Sequence, residues 1–481
     1  MTATSVPATR YRWSICALLF FATTINYLDR QVLSLTWKDF IVPEFHWTNS
    51  DYGTITSLFS IFYAFGMLIA GRFVDWMDTK KGFLWAIFIW SIGACVHALC
   101  GIATSGILTG HWLVGFEGAR EAVSHVDNIA KISSVSVTLF IFARLVLAIG
   151  EAGNFPAAIK TTAEFYPKKD RAFSTSLWNA GATVGALAAP LIIPPLALYW
   201  GWEAAFVVIG ALGFVWMGFW VLMYDKPEVH PRVNAAELTY IRQDMDHDPV
   251  LKAGEARAKT SFLACLRYRQ TWAFALGKLL TDGVWWFFLF WTPAYLSAVY
   301  HIKSSDPAGK WALFTLYAIT LLSIIGGWLP SYFVGKKGMN PYAGRMKAML
   351  IFAFFPLLAL LAQPLGTYSY WWPVIIIGIA GAAHQAWSAN LFSTVGDMFP
   401  RKAIATITGI GGMAGGIGAF AINKSSGVLF DYAKKVDMTV LGFKGEEAGY
   451  FIIFSFCAVA YLVAWIVMRT LVPHYKPITD L

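Results

Sequence analysis

Twelve long apolar stretches constrain this chain more than any other feature. They fall at about 13–36, 51–74, 83–104, 138–162, 173–198, 202–224, 270–300, 310–335, 346–366, 371–396, 403–430 and 448–471. One helical crossing of a bilayer takes about 20 residues. Backbone groups in hydrocarbon must satisfy one another, so runs of this length read as membrane helices. The composition agrees: 57% of the 481 residues are hydrophobic and only 14% are charged. A soluble domain carries nearly twice that charge, so a soluble enzyme and a disordered chain are both excluded. The 22 tryptophans suit the lipid–water boundary. The first stretch lacks a small-residue cleavage site and runs too long for a secretory signal. The five cysteines are odd in number, show no metal spacing and read as unpaired thiols.

Two groups of six stretches are divided by the polar segment 225–269, expected to carry short surface helices. The reading is therefore an all-α membrane protein with twelve transmembrane helices in two six-helix halves around a central cavity. Its parts are an amino-terminal bundle over 1–224, a cytoplasmic central loop over 225–269 and a carboxy-terminal bundle over 270–481. An insertion at about 105–137 is too polar to span and carries no functional reading of its own. With both termini placed in the cytoplasm, that side receives twenty-five Lys and Arg against nine opposite, and Arg30, Arg144 and Lys278 stay inside spans. This bias sets the expected orientation. It also explains the net charge of +9 without nucleic acid as a partner.

Ionisable residues inside spans are costly and mark sites. Asp29 and Arg30 are adjacent, about 100° apart on a helix, so each needs a partner elsewhere. Asn26 and Tyr27 precede Arg30 by four and three residues and share its face. An arginine so placed can grip a carboxylate through its planar fork, or form a structural ion pair between helices. Arg144 and Glu151 lie seven apart on one face, about 10 Å along the axis, as two groups lining one cavity. Burial makes Glu151 a proton carrier near neutral pH; the alternative is a carboxyl held for helix packing. Lys278 and Asp282 either satisfy each other at i,i+4 or face the cavity, with Trp285 and Trp286 following. His384, Gln385 and Asn390 are neutral hydrogen-bonding groups suited to sugar hydroxyls, or to holding helices together. The glycines over 409–418 match a dinucleotide pattern in the wrong context, with no strand before them. They read as close helix packing. No metal site or cofactor is expected.

The loop Gly71-Arg72-Phe73-Val74-Asp75-Trp76-Met77-Asp78-Thr79-Lys80-Lys81 resembles the signature of the major facilitator superfamily. Trp76 stands where a basic residue is usual and Asp78 where glycine is usual. The stretches INYLDRQVLS, RLVLAIGEAGNFPAAIKTTAEFYP, LLTDGVWWFFLFWTPAYL and HQAWSANLFSTVGDMFP are similar to its anion:cation symporters, and most to bacterial hexuronate transporters. The resemblance implies that Arg30 grips a substrate carboxylate, with Asp29 and Glu151 as proton-carrying acids and Arg144 as the basic partner. It makes Tyr27 and Tyr63 site tyrosines and assigns Gly71 and Asp75 to the gate. A glutamine found in some relatives is Ala182 here.

The expected function is import of a hexuronate such as glucuronate or galacturonate by proton symport through alternating access. Trp286, Gln385 and Asn390 join Arg30, Tyr27, Tyr63 and Arg144 in the substrate site. The alternatives are another sugar acid or organic anion (aldonate, tartrate, aromatic acid) or a drug/proton antiporter. The expected partners are the sugar-acid anion, protons and the lipid bilayer, with sodium left open as the driving ion. A monomer in the bacterial cytoplasmic membrane is expected, with no enzyme activity.

Overall fold

The computed structural model describes residues 7–112, 114–243 and 261–478. Its first half contains α1 (Arg12–Thr36), α2 (Asn49–Met77), α3 (Thr79–Thr109), a short α4 (Phe116–Ser124), α5 (Ile129–Glu151), α6 (Asn154–Phe165), α7 (Lys168–Trp200) and α8 (Trp202–Met223). The second contains α9 (Arg269–Tyr300), α10 (Pro307–Thr320), α11 (Ile325–Gly335), α12 (Pro341–Phe354), α13 (Trp371–Met398), α14 (Arg401–Lys435) and α15 (Glu446–Leu471). Among the described residues, ten segments are long and apolar enough to cross a membrane. Packed among them, α1 and α14 complete twelve crossings. Short helices at Ala235–Arg242 and Phe262–Cys265 lie between the halves, while 244–260 of that segment lies outside the described residues.

The apolar stretches fix the spans to within a few residues, apart from three interruptions and a longer fourth span. One crossing stops at Glu151 and resumes at Asn154 as α6. Pro156 has no N–H to answer the carbonyl four residues back, which favours a break here. The α10–α11 crossing passes through a 3-10 turn at Leu321–Ile324, and α12 continues through another at Phe355–Leu361. A small antiparallel hairpin pairs β1 (Thr439–Val440) with β2 (Phe443–Lys444). Its turn residues Leu441 and Gly442 both take positive φ, as a two-residue hairpin loop requires.

The halves meet chiefly through α2 against α14, α7 against α10 and α1 against α9. The α2–α14 seam is backbone on backbone. A Cβ at Gly427 would sit 2.3 Å from the Asn49 carbonyl oxygen, and one at Gly416 would sit 2.3 Å from Ala64 Cβ. Small residues are what permit such close approach in a membrane.

Polar contacts close the end away from the chain termini. Asp431 accepts from the backbone N–H of Asn49 and Ser50 at 3.1 and 2.6 Å. It thereby caps α2 from the opposite half, where the helix dipole favours an anion. Asp39 accepts from Ser297 Oγ at 2.9 Å and from Ser304 N at 2.7 Å. Gln31 donates to the Tyr317 hydroxyl at 2.9 Å, and Lys424 reaches Thr54 Oγ1 at 2.6 Å. Toward the termini, the α2–α14 seam reaches Leu68 beside Gly409 and Met67 beside Gly412.

Within the insertion, α3 runs to Thr109 and ends on Gly110 with φ 82. The amphipathic α4 then buries Ala119 and Val123. Its Arg120 pairs with Glu203 through Nε and Nη2 and lies 3.7 Å from Glu44. Trp202 Nε1 donates to Glu44 Oε2 at 2.8 Å. Gly201 has φ 88, and a Cβ there would lie 2.4 Å from Arg120 Nη2. Beside this cluster lies a cleft of about 1170 Å³.

Burial pushes Glu44 up to about 7, the Trp202 hydrogen bond opposes this, and Glu203 adds to it. A carboxyl raised in the folded state holds its proton longer there than in the unlocked segment. Stability from this group is therefore full below the usual carboxylate range and falls as pH rises toward 7. Hydrogen exchange should show insertion protection falling at least about tenfold between pH 5 and 7, where a shift of one unit is tenfold in the equilibrium. Glu44→Gln should remove the part of that dependence due to Glu44. An unchanged profile in Glu44→Gln would assign it to other groups.

Candidate functional site

The site is built where α1, α2, α5 and α9 converge. Arg30 projects from α1 and is sealed from solvent, 3% exposed. Its Nε and Nη2 both donate to Glu151 Oε2, at 3.0 and 2.7 Å. Glu151 is the last residue of α5, one step before the break. Asn26, one turn before Arg30, accepts from Nη2 at 3.4 Å. The guanidinium thus finds its ionic partner on another helix, as its position beside Asp29 requires.

Four aromatic rings surround that cation. Its Cζ lies 5.0 Å from the Tyr27 ring, 4.8 Å from Tyr63, 5.0 Å from Trp286 and 5.8 Å from Phe59. Three rings belong to the first half and Trp286 to the second, so the box is shared across the molecule. A desolvated cation over a ring gains about 2 kcal/mol per favourable face. Phe59 also faces Arg144, whose Cζ is 5.1 Å from the same ring. Phe59 escapes sequence reasoning because the chain has 37 phenylalanines. Its i,i+4 spacing from Tyr63 was the available signal.

Asp29, Arg144 and Glu151 are 1%, 2% and 0% exposed. Both oxygens of Asp29, Nε and Nη1 of Arg144, and Oε1 of Glu151 have no protein partner. The site therefore holds two acids and two arginines, with one tight pair and spare hydrogen-bonding capacity on the rest.

The second half presents a different set. Lys278 Nζ lies 2.6 Å from Asp282 Oδ2 and 4.2 Å from the centre of the Phe392 ring. Lys278 and Asp282 pair at i,i+4, while Asp282 Oδ1 is buried without a protein partner. His384 shares a 2.8 Å hydrogen bond with the Tyr461 hydroxyl and stacks on Trp285 at 5.5 Å. Asn390 donates to the carbonyls of Gly326 and Ala386 at 2.9 and 2.8 Å. The Gly326 carbonyl lies four residues before Pro330, which cannot answer it, so Asn390 supplies the missing donor. Gln385 is half-buried on the same helix. Gly71 has open space around it, and the Asp75 side chain lies outside the described residues.

The Major Facilitator Superfamily model matches residues 19–422. The chain is similar to the hexuronate transporter of Escherichia coli strain K12, 26% identical over 424 residues, covering 87% of this chain and 88% of that one. It is also similar to the galacturonate transporter of Dickeya chrysanthemi, 25% identical and covering 67% and 82%. Among solved structures it shares its fold with a bacterial homologue of the human lysosomal transporter Spinster in an inward-facing, unoccupied conformation. The TM-score is 0.66 at 18% identity, over 99% and 100% of the two chains. The chain belongs to the Major Facilitator Superfamily.

Proposed function

We propose that this transporter imports a hexuronate monoanion, such as glucuronate or galacturonate, together with protons. The observation that carries the reading is the buried Arg30, boxed by four rings and held by Glu151. In this arrangement the internal carboxylate occupies the fork that a ligand carboxylate would need. Protonating Glu151 removes its charge and releases Arg30. With Asp29 also protonated, the charges of Arg30 and Arg144 stand unopposed and an anion becomes favourable. Binding of proton and anion therefore favour each other, and by linkage each raises the affinity for the other equally. The relatives that carry hexuronate and galacturonate support the choice of sugar acid.

The halves then rock about this site, opening it to one side at a time. The Lys and Arg bias supports a cytoplasmic side, in a bacterial inner membrane, for the termini, Gly71 and Asp75. The polar closure at Asp39 and Asp431 is then the external gate, and the structure is the state shut to the outside. The single chain contains the whole site, so a monomer suffices.

The test is uptake of labelled glucuronate into proteoliposomes. An imposed inward proton gradient should drive accumulation, and an equal sodium gradient should not. Accumulation driven by sodium alone would replace the coupling ion, and uptake blind to both gradients would end the symport reading. Competition by unlabelled hexuronates, aldonates and tartrate separates hexuronate from the other acids.

A further inference from the structure

Asn154 is the first residue of α6, immediately past the break that follows Glu151. It is fully buried, and neither its Oδ1 nor its Nδ2 has a protein partner. The break is held in place: a Cβ at Gly153 would lie 2.6 Å from Ala86 Cβ, so this turn sits tightly on α3. The resumed helix packs against α1 and α2, two of the elements around the arginine site, and against α3. Asn26 on α1 is also fully buried, and while its Oδ1 accepts from Arg30, its Nδ2 has no partner. Two interior amides with spare atoms thus belong to this region of the fold: Asn26 is joined to the arginine directly, and Asn154 follows the acid by three residues at the head of a helix that packs on α1 and α2.

Their chemistry differs from that of the charged groups. A guanidinium only donates and a carboxylate only accepts, so these read the acid end of a ligand. An amide does both within one side chain. A hydroxyl also does both, so neighbouring hydroxyls on a carbon chain match an amide in a way that a simple carboxylate cannot. Buried polar groups in a native fold call for a partner.

We propose that Asn26 and Asn154 are specificity-determining residues that bind substrate hydroxyls next to the carboxylate held at Arg30. This rests on the reading of Arg30 as the carboxylate clamp. Asn26 reads the position nearest the carboxylate, since it shares Nη2 of Arg30 with Glu151. The pair makes the site select a polyhydroxylated acid over an apolar acid of equal charge and similar ring size.

The test compares D-glucuronate with cyclohexanecarboxylate, which keeps a six-membered ring and the carboxylate but lacks hydroxyls. Affinities are measured on the purified full chain in nanodiscs at one pH, by direct titration for glucuronate and by competition for the apolar acid. Asn154→Ala should weaken glucuronate at least about tenfold, the loss of one good polar contact, and leave cyclohexanecarboxylate within twofold; Asn26→Ala, which also frees Nη2 of Arg30, should lower the ratio of the two affinities by a similar factor. Asn154→Ser, which keeps a donor and an acceptor, should recover part of the preference. Equal losses for both probes would mark the amides as structural and overturn the proposal. So would a wild type that binds the two acids alike, or an Asn154→Ala variant that binds glucuronate unchanged. Arg30→Ala serves as the separate control: full affinity for both acids there would sink the carboxylate clamp, whereas the amide proposal is judged by the ratio between the probes.

Discussion

Arg30→Ala abolishes concentrative uptake in proteoliposomes, with ligand affinity lowered by roughly a hundred- to a thousandfold. Removing one partner of a buried, hydrogen-bonded charge pair costs about 2–5 kcal/mol, and each 1.4 kcal/mol is tenfold. The guanidinium is the only group in the site ringed by Tyr27, Tyr63, Phe59 and Trp286 among the described residues. Its loss takes away both the ionic partner and the cation that the rings enclose. Arg30→Lys keeps a charge but not the fork, so it should retain weak binding without normal turnover. Arg30→Ala also strands Glu151 inside the protein, and misfolding is a rival explanation for lost transport. The double variant Arg30→Ala with Glu151→Gln removes both charges together and should regain a monodisperse profile while still failing to bind. If the double variant binds glucuronate as the wild type does, Arg30 is not the clamp.

Glu151→Gln has a different expected signature: tight binding without coupling. Glutamine approximates the protonated acid in shape and charge, so Arg30 is released at every pH. Affinity should rise at alkaline pH, where the wild type has its site closed by the carboxylate. Exchange of labelled for unlabelled sugar acid should continue, while accumulation driven by an imposed proton gradient is lost. Any pH dependence that survives would belong to Asp29, whose two oxygens have no protein partner. Counterflow and gradient-driven uptake measured on the same vesicles separate these outcomes. A Glu151→Gln protein that accumulates substrate against its gradient removes Glu151 from the coupling step.

These two residues show what a linear sequence can and cannot disclose. Charges are rare in apolar stretches, so Arg30, Glu151, Arg144 and Asp29 stand out on cost alone. The spans were legible for the same reason, since twelve long apolar runs leave the backbone little choice. Which acid meets which arginine was not legible, because pairing depends on how α5 approaches α1. The break after Glu151 was written in Gly153 and Pro156, yet an apolar run through it disguised two helices as one. The rings at Phe59 and Trp286 were hidden by abundance: aromatic residues supply the lipid boundary and the core as well as the site. The polar closure at the end away from the termini was invisible for the opposite reason. Asp39 and Asp431 sit near helix ends, where an acid ordinarily faces water, and only the facing half reveals their donors.

The insertion offers a related lesson. Its composition showed that it does not span, but an amphipathic nine-residue helix carries too little periodicity to announce itself. Arg120 gains meaning only beside Glu203 and Glu44, contributed by segments 83 and 76 residues away in the chain.

The glycine-lined contact between α2 and α14 bears on speed. Two helices that touch through main chain have few rotamers to rearrange when they slip past each other, so little conformational entropy is exchanged during the stroke. The resistance to reorientation then resides in a small number of polar latches, and turnover can be retuned by editing those latches while the sliding surface stays as smooth as before.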